Sequence, residues 1–317
     1  MAKPAAGLSD APAARPSSKR EPAGLSSAAR LIETAANPRI PLPLRLVAPA
    51  LALAALLTPA RALDCPPTAP CTVGNGTYAL QLPTDWDRRS PLPLLVFFHG
   101  FGDTPGDVIR RPDMAALVER ERLILAVPAG LDRRWHIRPG GPRPRDDLAF
   151  ATAVVDDVMA RLPVDPAMVV AGGFSAGGFL TWTLACDRPG RFTGFLPVAG
   201  AFWDPVPVGP CPGGPVAIRH VHGLDDRTVP LAGRIVSAGA RQGDIRASLA
   251  TALVTNACSP VPQESKAGEL TCTQWNGCAP GGNLAFCTHP SGHELDAAWL
   301  SDGLAWLRRQ STPRGTR

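Results

Sequence analysis

A serine flanked by glycines, at positions 173–177, has the surroundings of a catalytic nucleophile. The sequence there reads GFSAG. An apolar run of strand length, residues 167–171, precedes it, and residues 178–185 have the composition of a helix. A G-x-S-x-G motif between a strand and a helix is typical of a nucleophile elbow, a tight turn that points the serine hydroxyl out of the fold. The context predicts that Ser175 is a nucleophile rather than a serine that caps a glycine-rich turn.

A nucleophilic serine needs a base to accept its proton, and four histidines follow Ser175. Two of them, His220 and His222, lie in an apolar run that indicates a core strand, where histidines are usually packed. The others are His289, at the end of a strand-like run, and His293, in a loop ahead of the last amphipathic segment. In the fold that uses this elbow, a loop before the last helix carries the base. This position favours His293 over His289.

The acid that orients the base is expected just beyond the strand that contains His222. Asp225 and Asp226 both lie there, in the sequence HGLDDRTVP. Their position along the chain leaves either aspartate open as the acid.

Two backbone N–H groups near the serine are needed to bind the oxyanion of an acyl-transfer reaction. One belongs to the residue after the nucleophile, Ala176. The other should come from a loop after an early core strand, and the apolar residues 94–98 lead into the sequence HGFGD. We expect Phe101 to supply this second donor. His99 precedes the serine, so we expect it to brace the loop by hydrogen bonding.

Taken together, HGFGD, GFSAGG, HGLDDRTVP and SGH resemble the polyhydroxybutyrate-depolymerase-type esterases of the α/β-hydrolase superfamily, a group that includes feruloyl and acetylxylan esterases. The resemblance covers residues 72–308. It implies an α/β-hydrolase fold and ester hydrolysis without a cofactor. It also implies Asp226 as the acid, four residues after His222, and it favours a disulfide between Cys186 and Cys211. Relatives often have Asn where this elbow has Ala176, a change that leaves the backbone N–H in place.

Apolar runs alternate with amphipathic segments through the same region. Strands are predicted near 94–98, 123–127, 167–172, 194–198 and 216–222, and helices near 112–121, 147–161, 175–186, 243–254 and 295–309. Asn75-Gly76 predicts a hairpin turn between two earlier strands. Strand–helix alternation predicts a mostly parallel sheet with helices on both faces. We expect a single catalytic domain at residues 63–317.

The first 62 residues have the features of a leader. Residues 1–38 are rich in Ala, Pro, Ser and charge and are predicted to be disordered. The apolar run at 46–57 follows two arginines and ends in the A-x-A pattern of residues 60–62, which predicts a signal peptide cleaved after Ala62. An uncleaved anchor is the alternative. The long segment ahead of the apolar run indicates either a true start downstream of Met1 or an extended n-region. The prediction is a secreted or periplasmic protein with no stable membrane insertion after cleavage.

The net positive charge of the protein comes from these first 62 residues. Of 32 basic and 27 acidic residues, 8 and 3 lie in residues 1–62, which leaves 24 of each sign in the remainder. A balanced domain without a basic stripe does not favour nucleic acid as a partner.

All eight cysteines follow the predicted cleavage site. An even number of cysteines confined to an exported domain predicts disulfides. Cys65 and Cys71 are expected to close a small loop, and the last four (Cys258, Cys272, Cys278 and Cys287) to tie together the segment that carries His293. The spacings do not match those of zinc ligands, so no metal is expected.

The substrate is less well defined by the sequence. Trp135, Phe202 and Trp203 lie in predicted loops near the carboxyl edge of the sheet and are candidates to contact it. No separate adsorption domain is recognised, so a soluble ester or oligomer is as well favoured as a polymer granule. We expect a monomeric serine esterase of the polyhydroxybutyrate depolymerase type, acting on a polyester oligomer or a small ester. The alternative is a feruloyl or acetylxylan esterase; a peptidase and a non-catalytic binding protein are less favoured, because the set of catalytic candidates is complete.

Overall fold

A ten-stranded sheet runs through the residues described by the computed structural model, which are 65, 70–236 and 239–311. In chain order the strands are β1 (Cys71–Val73), β2 (Gly76–Gln81), β3 (Leu92–Phe98), β4 (Ile124–Pro128), β5 (Val164–Phe174), β6 (Gly194–Val198), β7 (Ala217–Gly223), β8 (Pro262–Ala267), β9 (Leu270–Trp275) and β10 (Asn283–His289). Their order across the sheet is β1-β2-β4-β3-β5-β6-β7-β10-β9-β8. The six strands from β4 to β10 in this order are parallel, and the strands at both ends are antiparallel.

The central strands are buried on both faces. Every residue of β4, β6 and β7 is buried. A strand covered on both faces needs apolar side chains in both directions, which is why β4 and β6 read as continuous apolar runs in the sequence. β7 also buries the polar side chains of Arg219, His220 and His222. All five strands predicted from those runs are present.

Helices cover the two faces of the sheet. They are α1 (Pro105–Ile109), α2 (Pro112–Glu121), α3 (Asp147–Arg161), α4 (Ala176–Asp187), α5 (Ile245–Asn256) and α6 (Ala297–Ser311), with a 3-10 turn at Pro189–Arg191. One apolar cluster joins the sheet to α3, α4 and α5. A second joins it to α1, α2 and α6. The predicted parallel sheet between two helical layers is therefore confirmed, and the five predicted helices agree with α2 to α6 to within about two residues.

The antiparallel ends of the sheet were only partly predicted. The predicted hairpin is confirmed, since β1 pairs with β2, but its turn lies one residue earlier than predicted, at Gly74 and Asn75, and Gly76 begins β2. The hairpin of β8 and β9 was not predicted, because the sequence of β8 is PQESKA and all six residues are exposed. A polar edge strand that contains Pro and charged residues has no apolar alternation, and these residues discourage pairing with another chain.

Four disulfides account for all eight cysteines. They join Cys65 to Cys71, Cys186 to Cys211, Cys258 to Cys278, and Cys272 to Cys287. The first two pairs agree with the expectations from the sequence. The last two link the end of α5, the β8–β9 hairpin and β10, as expected for the segment that leads to His293.

The described residues lie in one unit of the chain, Leu57–Arg317. The predicted disordered segment 1–38 and the signal peptide that ends at Ala62 lie outside the described residues. Within the described part, no helix combines the length and the apolar composition that a bilayer span requires.

Candidate active site

Ser175 occupies a strained turn between β5 and α4. Its backbone has φ 54° and ψ −117°, a conformation rarely adopted by a residue with a side chain. Two glycines are required by close approach: a Cβ on Gly173 would collide with the Gly177 carbonyl, and one on Gly177 would collide with the Phe98 carbonyl. The Ser175 N–H donates to the Val198 carbonyl, 3.0 Å away, which ties the turn to β6. This is the elbow that the motif predicted.

The structure brings Ser175, His293 and Asp226 together in one hydrogen-bonded chain. His293 Nε2 lies 2.9 Å from Ser175 Oγ. The other ring nitrogen, His293 Nδ1, lies 2.7 Å from Asp226 Oδ2. The three residues follow β5, β10 and β7, all of which end at the carboxyl edge of the parallel sheet. Because the carboxylate can only accept, Nδ1 carries a proton and Nε2 faces the serine hydroxyl as an acceptor.

Asp226 is held as a carboxylate by donors on both of its oxygens. Its side chain is fully buried, and Oδ1 accepts from the N–H groups of Thr228 at 2.9 Å and Val229 at 2.7 Å. Burial by itself would raise the pKa of Asp226. The hydrogen bonds from His293 and Val229 and the nearby imidazoles outweigh burial and hold that pKa below its usual value. The donors from Thr228 and Val229 were not foreseen, although a short turn after an Asp is a common source of such contacts.

The competing candidates lie elsewhere. Asp225 is exposed, and its side chain pairs with Arg227 at 3.2 Å. His289 is buried and stacks on Trp299 with ring centroids 4.2 Å apart. Among the described residues, neither ring nitrogen of His289 has a hydrogen-bond partner. Neither Asp225 nor His289 belongs to the hydrogen-bonded chain of Asp226, His293 and Ser175.

The two expected oxyanion donors border the elbow. As the first residue of α4, Ala176 has an N–H without an acceptor in its own helix. In the loop after β3, the N–H groups of Gly102 and Asp103 donate to Arg133 and Gly100, whereas that of Phe101 has no backbone acceptor within the described residues. The close approach of Gly177 to the Phe98 carbonyl brings this loop and the start of α4 together.

His99 braces the loop after β3, as predicted. Its Nε2 accepts from the Gly130 N–H at 3.0 Å, and its Nδ1 lies 2.7 Å from the Gly100 carbonyl. Trp135 belongs to the same support: it is 7% exposed, and its indole N–H donates to the His99 carbonyl at 2.9 Å. The expectation that Trp135 offers a free face to substrate is therefore not met, because its polar edge and its rings are already used inside the fold.

The other aromatic candidates differ in exposure. Phe202 is buried against Trp182. Trp203 is half-buried, lies 4.7 Å from Phe179 between ring centroids, and is covered on one side by the guanidinium of Arg138. It borders an open cavity of about 400 Å³. Trp203 thus remains available to a ligand.

A second cavity lies between the loop after β3 and Phe174, the residue before Ser175, and was not predicted. Its volume is about 210 Å³, and its lining includes Phe97, Phe174 and Leu295 together with polar groups of His99 and Asp103. These residues come from the ends of three separate elements, so no local sequence pattern could have joined them.

Comparison with known proteins gives the family. Residues 72–258 match the family described as "putative esterase". Feruloyl esterase C of Emericella nidulans is 26% identical over 244 residues, which cover 74% of this chain and 82% of that protein. The putative esterase NocK of Nocardia uniformis subsp. tsuyamanensis is 33% identical over 145 residues, which cover 44% of this chain and 42% of that protein.

Solved structures give the fold. An acetyl xylan esterase from Aspergillus awamori superposes with a TM-score of 0.54 at 14% identity, covering 74% of this chain and 94% of that chain. A phospholipase/carboxylesterase from Dyadobacter fermentans superposes with a TM-score of 0.50 at 13% identity, covering 75% of this chain and 99% of that chain. The sheet order and the elbow agree with the α/β-hydrolase fold. Since the family match spans more than half of the sequence, this chain belongs to that esterase family and is a carboxylic ester hydrolase.

Proposed function

We propose that the protein is a serine esterase in which Ser175, His293 and Asp226 form the catalytic triad. Ser175 Oγ attacks the carbonyl carbon of the ester while His293 Nε2 takes the hydroxyl proton. Asp226 holds the imidazole in the required tautomer and stabilises its protonated form. The N–H groups of Phe101 and Ala176 stabilise the oxyanion of the tetrahedral intermediate.

Three further proton transfers at His293 complete the reaction. The imidazolium gives its proton to the departing alcohol, and the acyl group stays on Ser175 as an ester. Water then attacks this acyl-enzyme, with His293 again accepting a proton, and Ser175 Oγ leaves with that proton as the carboxylic acid is released. The observation that carries this proposal is the hydrogen-bonded chain from Ser175 through His293 to Asp226 at a strained elbow.

For the substrate, we propose an aromatic ester of the feruloyl type. Relatives named feruloyl esterase match most of this chain, at 26% and 27% identity. Two aromatic side chains suit a planar acyl group: Phe101 is 68% exposed with the guanidinium of Arg134 over its ring, and Trp203 packs on Phe179 of α4 and borders a cavity of about 400 Å³. An aromatic ring gains by stacking on either surface.

A polyhydroxybutyrate oligomer is the second candidate. It is supported by the resemblance of the four sequence motifs to depolymerase-type esterases. Acetyl groups on xylan form a third, less favoured class. Ester and amide hydrolysis share this machinery, so a peptidase is also a measurable alternative.

The test is a comparison of kcat/KM for the purified enzyme on methyl ferulate, nitrophenyl butyrate, hydroxybutyrate oligomers, acetylated xylan and a peptide amide. The proposal predicts that methyl ferulate exceeds the hydroxybutyrate oligomers at least tenfold. Faster hydrolysis of the oligomers would assign the depolymerase activity instead. The Ser175→Ala variant, purified in the same way, is the matched control, since it measures the hydrolysis that does not depend on Ser175.

We further propose export as a single catalytic domain, residues 63–317. Four disulfides support an oxidising compartment, because such bonds are rare in the reducing cytosol. N-terminal sequencing of the exported protein should begin at Leu63, and light scattering should give the mass of a monomer. A mature protein that retains residues 46–57 would indicate an uncleaved anchor.

A further inference from the structure

Two buried histidines of β7 form a hydrogen-bonded pair behind the proposed acid. His220 and His222 are two residues apart in a strand and therefore project from the same face. Both are 0% exposed. His220 Nε2 lies 3.0 Å from His222 Nδ1, and His222 Nε2 lies 2.8 Å from the Val229 carbonyl oxygen. At the other end, the indole N–H of Trp182 points to His220 Nδ1 at 3.4 Å.

The contact with Val229 fixes the tautomer of His222. The Val229 carbonyl can only accept, so His222 Nε2 carries hydrogen and, in the neutral ring, Nδ1 accepts. His220 Nε2 faces this acceptor and His220 Nδ1 faces the Trp182 indole N–H, while the Pro197 carbonyl accepts a hydrogen bond from the same ring. Burial lowers the pKa of both histidines, well below the usual value for His220, so the neutral forms are present at pH 7. The two histidines are therefore linked by hydrogen bonds that run toward Val229, and they do more than fill space in the core.

The series of hydrogen bonds from Trp182 through His220 and His222 ends at Val229, whose backbone binds the Asp226 carboxylate. The Val229 carbonyl accepts from His222, and the Val229 N–H donates to Asp226 Oδ1 at 2.7 Å. The same His222 Nε2 lies 3.5 Å from Asp226 Oδ2, the oxygen that faces His293. His222 therefore acts on both oxygens of the carboxylate, on one through the turn and on the other through its N–H dipole.

We propose that His222 is a positioning residue, which sets the carboxylate of Asp226 toward His293 by anchoring the 226–229 turn. The proposal rests on the proposed catalytic role of Asp226. It assigns a function to the histidine of the HGLDD sequence, which the triad itself leaves without one.

Two substitutions separate the two hydrogen bonds of His222. In His222→Asn the amide oxygen replaces the acceptor that faces His220, and the donor toward Val229 is lost. In His222→Gln the longer side chain places an N–H near the position of Nε2, so the donor toward Val229 is kept. We expect His222→Asn to lower kcat by about 10- to 100-fold with an unchanged KM, because a small displacement of a catalytic group mainly affects the transition state. His222→Gln should restore most of that loss.

A spectroscopic measurement reports the positioning directly. The Nδ1 proton of His293, hydrogen-bonded to Asp226, should give a far-downfield proton resonance in the wild-type enzyme and in His222→Gln. The resonance should shift upfield or disappear by exchange in His222→Asn. Thermal unfolding of each variant shows whether it is folded at the assay temperature.

A double-variant cycle distinguishes positioning from general support of the fold. If His222 acts through Asp226, then Asp226→Asn combined with His222→Asn should be within about threefold of Asp226→Asn alone, since the two changes remove one effect. A folded His222→Asn enzyme with wild-type kcat and resonance overturns the proposal, as does a double variant that loses the full product of both effects. If His222→Asn does not fold, a folded His222→Gln enzyme with kcat more than tenfold below wild type overturns it.

A different result would overturn the proposed triad. If Asp226→Asn itself keeps wild-type kcat, the acid assignment is wrong and the positioning role falls with it. If Asp226→Asn is inactive while His222→Asn is as active as wild type, only the positioning role is overturned.

Discussion

The ring of Phe174 packs against the imidazole of His293, with centroids 4.8 Å apart and 35° between the planes. Phe174 is the last residue of β5 and directly precedes Ser175. The turn that holds the serine hydroxyl out of the fold therefore also supports the face of the histidine beside it. One backbone segment therefore contacts both the nucleophile and its base.

The paired candidates for acid and base provide matched variants. Asp226→Asn and His293→Ala should each lower kcat by about 10⁴-fold, because each removes a member of the hydrogen-bonded chain. Asp225→Asn should stay within about threefold of wild type, since its carboxylate is exposed and pairs only with Arg227 among the described residues. Steady-state kinetics on one ester checks all three. An inactive Asp225→Asn enzyme would indicate that the acid is Asp225 and not Asp226.

Close packing at the elbow gives a second pair. Gly177→Ala should destabilise the protein and lower activity, because the added Cβ collides with the Phe98 carbonyl beside the oxyanion loop. Gly190→Ala should be close to wild type, since no atom lies within 4 Å of the new Cβ. Chemical denaturation and kcat measure both effects. Equal behaviour of the two variants would contradict the packing that brings α4 against β3.

The pH dependence of stability should report the buried His289. Burial lowers the pKa of His289 despite the nearby Glu294. The folded state then binds this proton less readily than the unfolded chain, whose imidazole has a pKa of about 6.5. The stability contributed by the neutral ring is therefore complete above about pH 6.5 and is lost as the pH falls toward the folded pKa, by at most about 1.4 kcal/mol per pH unit.

His289→Phe keeps a ring against Trp299 and removes this titration. Its unfolding free energy should fall less steeply than that of the wild type between pH 7 and pH 5, whatever its absolute stability. Parallel curves would show that His289 does not titrate differently in the folded and unfolded states. Activity at neutral pH should persist in this variant, since His289 is not part of the hydrogen-bonded chain of Asp226, His293 and Ser175.

The disulfide between Cys272 and Cys287 should affect activity as well as stability. It joins β9 to β10, and β10 runs directly into the loop that carries His293. Replacing both cysteines by serine should cost about 3 kcal/mol of stability for a loop of this length. It should also lower kcat at temperatures where tryptophan fluorescence shows a folded protein. The control is the same change at Cys65 and Cys71, which should leave kcat unchanged.

Much of the fold and of the candidate site could be predicted from local sequence patterns. β3 and the second half of β5 are buried on both faces, so each reads as an apolar run, and a strained elbow restricts its flanking positions to glycine. The sequence could not show which atoms meet. The partners of His222, the contact of Phe174 with His293 and the use of Trp135 as a brace join residues that are distant in the chain or depend on side-chain direction. The β8 strand escaped prediction because an exposed edge needs no apolar pattern.

Labelling with a fluorophosphonate tests whether Ser175 is the nucleophile. The reagent reacts with an activated serine, so we expect one label per wild-type chain, located on Ser175 by peptide mass analysis. Ser175→Ala should take up no label and lose ester hydrolysis by at least about 10⁴-fold, while its thermal unfolding stays like that of the wild type. A label on any other serine, or ester hydrolysis retained by a folded Ser175→Ala protein, would contradict it.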